Sequence, residues 1–189
     1  MAAKNEFGAL ALSDWLIFAR REDNEKLESV LSALFDELRA PLFRYLFAML
    51  GSAAEAEDVA QECFLRLFVE LRNGKKVGNP KAWLFRVGHR IVLDRWRSAP
   101  AEQSLEDSPA DVADDRQISS EENLLQQERL QLMRAAMNRL STQQRLCLHL
   151  RTECFRYREI AEILGISEST VCENIRRGLT RLIKDCHEL

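Results

Sequence analysis

The side chains best suited to chemistry form two clusters, and neither is arranged to make or break bonds. The first lies in SESTVCENIRRGLTR, residues 167–181. Glu168, Ser169, Thr170, Glu173 and Asn174 offer donors and acceptors at the front of a helix-forming stretch, and Arg176, Arg177 and Arg181 add positive charge behind them. An asparagine amide can pair with adenine and a carboxylate can accept from cytosine, while guanidinium groups match phosphate oxygens. The second cluster is Lys75, Lys76, Arg86, Arg90, Arg95 and Arg97, interleaved with Trp83, Phe85 and Trp96. Cations that track phosphates, beside rings that stack on or wedge next to an unpaired base, are what single-stranded nucleic acid requires. Trp83 also has the plainer reading of a core residue that fixes its helix, and we favour that reading for it.

Covalent chemistry has no comparable support. No Ser-His-Asp, Cys-His, paired-carboxylate or phosphate-loop constellation occurs, so no catalytic residue is assigned and an enzyme is not expected. Cys63, Cys147, Cys154, Cys172 and Cys186 contain no CxxC pair, and His89, His149 and His187 complete no metal-ligand spacing. We expect no metal, no cofactor, and reduced thiols used mostly in packing; nothing favours a redox pair between Cys147 and Cys154.

The elements that must hold these clusters are helices. Tyr157–Leu164 reads as a short amphipathic helix, Gly165 as the turn, Ile166 as the plug of the angle, and Ser167 as the cap of a second helix from Glu168 to about Lys184. Ala161 permits a close crossing, and Ile160, Leu164, Ile166, Val171, Ile175 and Leu182 supply a shared core. This is a helix-turn-helix layout, which sets the front of its second helix in the major groove; an ordinary three-helix packing motif is the alternative. For the basic cluster, Asn79 followed by Pro80 starts a helix to about Arg97 with Trp83, Leu84, Val87 and Ile91 on its buried side. Stripes at helical spacing, Leu38–Leu42–Tyr45–Leu46–Met49 and Val59–Cys63–Phe64–Leu67–Phe68–Leu71, precede it and are separated by Gly51 and Ser52. Ser52 with Glu55, Ser119 with Glu122 and Ser141 with Gln144 have the spacing of reciprocal helix caps. The stretch from Trp15 to Leu34 reads as helical too.

Charge divides the 189 residues. The net charge is −3, yet residues 72–97 carry +7, residues 98–123 carry −7, and residues 124–189 carry +3. Local field governs what a surface attracts, because charges beyond about 8 Å are screened at physiological salt. The acidic stretch SAPAEQSLEDSPADVADDRQISS, with Pro100 and Pro109 and no aromatic residue, reads as a flexible linker. The expected fold is all-α: two small helical domains joined by that linker, with an N-terminal extension at 1–32, a first domain at 33–97, the linker at 98–120 and a helix-turn-helix domain at 121–189. No apolar run approaches the roughly 18 residues of a spanning helix, and Lys4, Glu6 and Asp14 do not fit a secretion signal, so a cytoplasmic protein without membrane insertion is expected.

From about Leu34 to Leu182 the sequence resembles a bacterial RNA polymerase sigma factor of the extracytoplasmic-function type, the group with only regions two and four. AEDVAQECFLRLF, at Ala56 to Phe68, is similar to the region-two segment that docks on the β′ clamp helices. KAWLFRVGHRIVLDRWR, at Lys81 to Arg97, is similar to the helix that melts promoters and reads the minus-ten element. LSTQQR and the helix-turn-helix resemble region four, which reads the minus-thirty-five element and meets the β-flap. The resemblance implies that Asp58, Gln61 and Glu62, three to four residues apart on one helix edge, contact β′; without it they read as a solvated acidic face. It implies that the loop Asn73 to Asn79 forms a base pocket and that Lys75, Lys76, Arg86, Arg90, Arg95 and Arg97 serve minus-ten binding and melting. It places Glu168, Ser169, Thr170, Glu173, Asn174, Arg176, Arg177 and Arg181 at the minus-thirty-five element. Core RNA polymerase, promoter DNA and an anti-sigma factor are the implied partners, and the acidic linker would thread the polymerase cleft.

Arg90 stands where the family usually has asparagine and Gly88 where alanine is more usual, while Cys172, Glu173 and Asn174 replace a more basic run. Two other readings remain at this point. A dimeric helix-turn-helix regulator would leave the Asp58, Gln61 and Glu62 ridge unexplained, and an adaptor that binds polymerase without reading DNA would suit the loss of cations near Cys172.

Overall fold

The computed structural model describes residues 24–98 and 131–187 except 132 and 134, and every regular element among them is helical. Helices α1 (Asn24–Leu50), α2 (Ala53–Arg72) and α3 (Pro80–Ser98) form the first half. Helices α4 (Thr142–Thr152), α5 (Tyr157–Leu164) and α6 (Glu168–His187) form the second, preceded by a helical turn at 135–138. The expected linker, the Ser119 cap and the stretch before Asn24 lie outside the described residues.

Local sequence chemistry sets the boundaries. Gly51 ends α1 at φ 71°, a left-handed conformation that suits glycine. Ser52 caps α2 through its side chain on the Glu55 N–H, although only this half of the expected reciprocal pair is made. The Asn79 side chain accepts from the Ala82 N–H at 3.0 Å and so opens α3. Ser141 and Gln144 complete both halves of their capping box on α4. Gly165 closes α5 at φ 67°, and Ser167 Oγ accepts the Thr170 N–H at 3.1 Å to start α6. Pro41 sits inside α1 without dividing it. An interior proline costs about 3 kcal/mol in an isolated helix; here Leu38, Leu42, Tyr45, Leu46 and Met49 are all buried, and packing against α2 and α3 offsets it.

In the first half Leu42, Leu46, Val59, Cys63, Leu67 and Leu84 are sealed from solvent. Gly88 explains itself in this packing: a Cβ there would lie 3.1 Å from Leu46 Cδ2 and 3.3 Å from Cys63 Sγ, both fully buried. Gly178 has the same role in the second half, where a Cβ would meet Leu148 Cδ1 at 2.9 Å between α6 and α4. Burial pushes the Cys63 thiol up to about 12 and Cys147 up to about 11, so both stay protonated packing groups, whereas Cys154 and Cys172 are exposed.

The two halves share one continuous core rather than standing apart. Phe85 of α3 meets Phe155, in the loop after α4, edge to face at 5.0 Å, and the Tyr45 ring of α1 lies 5.7 Å from that of His149 on α4. Phe85 is fully buried by these contacts. Its expected alternative as a ring that stacks on an unpaired base is therefore corrected: it is a core residue, as Trp83 is in part, while Trp96 packs half-buried against the core.

Candidate functional site

Three surfaces carry the residues singled out from the sequence. The first is the outer face of α2. Asp58 and Gln61 are exposed there, but Glu62 is half-buried and occupied: Arg66 Nη2 donates to it at 2.5 Å, and Arg95 approaches at 3.7 Å. Sequence reasoning overlooked two apolar members of this face, Leu65 at 65% and Val69 at 51% exposure. Asp58, Glu62, Leu65 and Val69 follow one another at steps of four, three and four, the seam spacing of helices that pack side by side. That spacing was present in the sequence as an apolar pair on the polar side of the stripe.

The second surface joins the α2–α3 loop to α3. Arg86, Arg90 and Arg97 are exposed and lie at i, i+4 and i+11, one stripe of the helix. Arg95 points from the other side toward Glu62 of α2. Asp94 accepts from Arg97 at 3.0 Å and lies 3.9 Å from Arg90, the pairing expected of a lone carboxylate in a basic helix. Lys75 donates to Glu70 at 2.9 Å. Lys75, Lys76, Asn79, Trp83 and Arg86 line a cleft of about 400 Å³ whose far wall is Glu159 and Glu162 of α5.

The third surface is the outward side of α6. Val171 and Ile175 are buried against α4 and α5, which fixes the helix and turns Glu168, Ser169, Thr170, Arg176, Arg177 and Arg181 outward. Several of these groups are already engaged. The Ser169 and Thr170 hydroxyls lie 2.8 and 2.7 Å from Ser167 Oγ, and the Asn174 amide donates to the Thr170 carbonyl at 2.9 Å. Glu173 takes two hydrogen bonds from Arg176, at 2.9 and 2.8 Å, and one from Arg177 at 2.5 Å. These guanidinium groups hold the Glu173 carboxyl down to about 2. Arg176, Arg177, Thr180 and Arg181 also line a shallow depression of about 440 Å³ toward the end of the helix.

Between the halves lies a buried polar cluster that the sequence did not reveal. The Tyr45 hydroxyl and His89 Nδ1 form a hydrogen bond at 2.8 Å. Burial lowers His89 to about 4 and lowers His149 as well, so both rings are neutral at physiological pH. Beside them Arg44 donates to Glu153 at 3.0 Å, and Lys81 donates to the Glu153 carbonyl at 2.8 Å.

Among the described residues no group of histidine, cysteine and carboxylate side chains could hold a metal ion, and no helix is long and apolar enough to cross a membrane. Comparison with known proteins identifies the family. Residues 34–101 match the model of sigma-70 region 2 and residues 130–182 match that of sigma-70 region 4. The chain is similar to the ECF RNA polymerase sigma factor SigL of Mycobacterium tuberculosis, 30% identical over 167 residues that cover 85% of this chain and 91% of the relative. It is also similar to the ECF RNA polymerase sigma factor SigX of Bacillus subtilis, 26% identical over 163 residues and 84% of each protein. In fold it is similar to the sigma factor RpoE of Bartonella quintana, solved in complex with the anti-sigma factor NepR; the TM-score is 0.64 at 22% identity, covering 85% of this chain and 98% of that one. Two region models in order along one chain, together with a relative at this identity over nearly its whole length, place the chain in the ECF sigma factors of the sigma-70 family, regulatory proteins of transcription.

Proposed function

We propose that this chain binds core RNA polymerase in the cytoplasm, selects promoters through minus-ten and minus-thirty-five elements, and promotes their melting. The observation that carries the reading is the division of labour between outward faces. The α2 face offers Asp58 and Gln61 beside exposed Leu65 and Val69, while α6 turns a hydrogen-bonding and cationic face away from a packed helix-turn-helix core. An apolar stripe flanked by acid and amide groups suits a basic partner helix, which supports assignment of Asp58, Gln61 and Glu62 to the β′ clamp helices. Glu168, Ser169, Thr170, Glu173, Asn174, Arg176, Arg177 and Arg181 are assigned to the minus-thirty-five element and its phosphates. Lys75, Lys76, Arg86, Arg90, Arg95 and Arg97 are assigned to the minus-ten region, where tighter binding to the separated strand than to the duplex favours opening without any chemistry by the protein. The β-flap and an anti-sigma factor complete the proposed partners.

The adaptor reading draws on one specific observation, the sharing of the Glu173 carboxylate by Arg176 and Arg177, which halves their net charge. In-vitro transcription with purified core polymerase on a genomic promoter library separates the two. Specific transcripts that vanish with Asp58→Ala/Gln61→Ala and weaken with Arg176→Ala/Arg177→Ala support the sigma factor; polymerase binding without transcripts supports the adaptor.

A further inference from the structure

The outer seam of α2 is complementary to itself. Asp58, Glu62, Leu65, Val69 and Arg72 follow one another at steps of four, three, four and three, the spacing on which two helices pack side by side. All but the half-buried Glu62 are exposed. The middle of the seam is apolar, because Leu65 and Val69 have no cover. Its ends carry opposite charge: Asp58 stands seven residues before Leu65 and Arg72 seven residues after it, about 10 Å to either side along the axis. Glu62 is held by Arg66 of its own helix. Among the described residues, neither Asp58 nor Arg72 has an ion pair or a side-chain hydrogen bond.

A second copy of this helix, turned end for end about Leu65, offers each position a suitable partner. Leu65 meets Leu65 of the second copy, Val69 meets the stem of Glu62, and Asp58 meets Arg72 at both ends at once. Two copies running in the same direction would instead oppose Asp58 to Asp58 and Arg72 to Arg72. The antiparallel arrangement has a two-fold axis, so it closes at two copies. We propose that the outer face of α2 is a self-association surface, through which two copies of the chain form an antiparallel dimer centred on Leu65. One helix seam with two apolar side chains from each copy falls short of the roughly 800 Å² per partner of a stable interface. The dimer is therefore weak and forms as protein concentration rises. Its consequence rests on the proposed function: this face is the one assigned to core polymerase, so dimer and polymerase exclude each other, and the polymerase replaces the second copy on Leu65 and Val69.

Sedimentation equilibrium of the full chain, over a roughly hundredfold range of concentration up to about 0.5 mM, tests this. The wild type is expected to show a reversible monomer–dimer equilibrium. Leu65→Asp sets two carboxylates against each other on the two-fold axis and is expected to leave monomer alone. Asp58→Arg and Arg72→Asp each turn both end pairs into like charges and weaken the dimer roughly tenfold. Asp58→Arg/Arg72→Asp exchanges the two charges and restores association. Recovery in a variant that carries both substitutions excludes damage to the fold as the cause of the single losses. A monomer at every concentration overturns the proposal, and if Leu65→Asp then also abolishes binding to core polymerase, the seam belongs to the polymerase alone. A dimer indifferent to Leu65→Asp overturns it as well, and a double variant no better than either single one overturns the antiparallel register. A dimer with the expected responses that core polymerase binds without dissociating it supports the self-association and overturns instead the assignment of this face to polymerase.

Discussion

Glu173 should restrain the DNA affinity of the helix on which it sits. Its carboxylate binds Arg176 at two points and Arg177 at a third, so the trio presents a net charge of about +1 where the two arginines alone would present about +2. Glu173→Ala removes the carboxylate and leaves a strong helix former. With one more cation free, about one more phosphate is neutralised, and the slope of log affinity against log salt steepens by about 0.9. Over a rise from about 50 to about 200 mM salt, that extra slope amounts to a further loss of roughly 3.5-fold. Fluorescence anisotropy of the full chain on a random-sequence duplex across this salt range measures it directly. Tighter binding at low salt together with a steeper slope is expected. An unchanged or shallower slope would refute the idea that the carboxylate screens the two arginines. Weaker binding confined to one duplex sequence would instead make Glu173 a reader of a base edge.

The buried histidines predict a pH response. His89 is lowered to about 4 by burial, so between pH 6.5 and 4 the unfolded chain binds the extra proton and stability falls as pH drops, by up to about 3 kcal/mol; His149 acts in the same direction. Urea midpoints between pH 7 and 5 should fall less steeply in His89→Gln than in wild type, and parallel profiles would exclude the role of the ring. At Gly88, valine should cost about 1–3 kcal/mol through overpacking against Leu46 and Cys63. A urea midpoint equal to wild type would show that this corner has room.

The helical elements and their caps were legible in the sequence because each depends on neighbours in the chain. Asn79 and Pro80, Ser141 and Gln144, and Gly165 with Ser167 all act within one turn, and all are used as their spacing implies. The core stripes of α2 and of the helix-turn-helix were legible for the same reason. The meeting of the two halves was not. Phe85 and His89 lie on α3, His149 on α4 and Phe155 in the loop after it, and no local pattern states that an aromatic residue of α3 will face that loop. Phe85 therefore read as a ring for an unpaired base and not as a core residue. Glu62 and Glu173 were read as free groups for the same reason, since the arginines that hold them become visible only when side chains have positions.

Under the proposed function an acidic chain reads DNA, which is less paradoxical once these pairings are considered together. Lys75 is bound to Glu70, Arg97 to Asp94, Arg95 faces Glu62, and Arg176 and Arg177 share Glu173. Exposed ion pairs of this kind contribute only about 0–1 kcal/mol each, so a phosphate can displace a carboxylate at little cost, but the exchange also gains little. Cations arranged in this way select geometry more than they supply affinity. Under the proposed function, the missing affinity comes from the polymerase. Once it is docked through α2, the two DNA-reading surfaces meet a single promoter at high effective concentration, and modest contacts at each element suffice together. On the same reading, these pairings would hold the free chain away from the bulk of non-specific DNA, which a protein with unmasked arginines would bind wherever it met it.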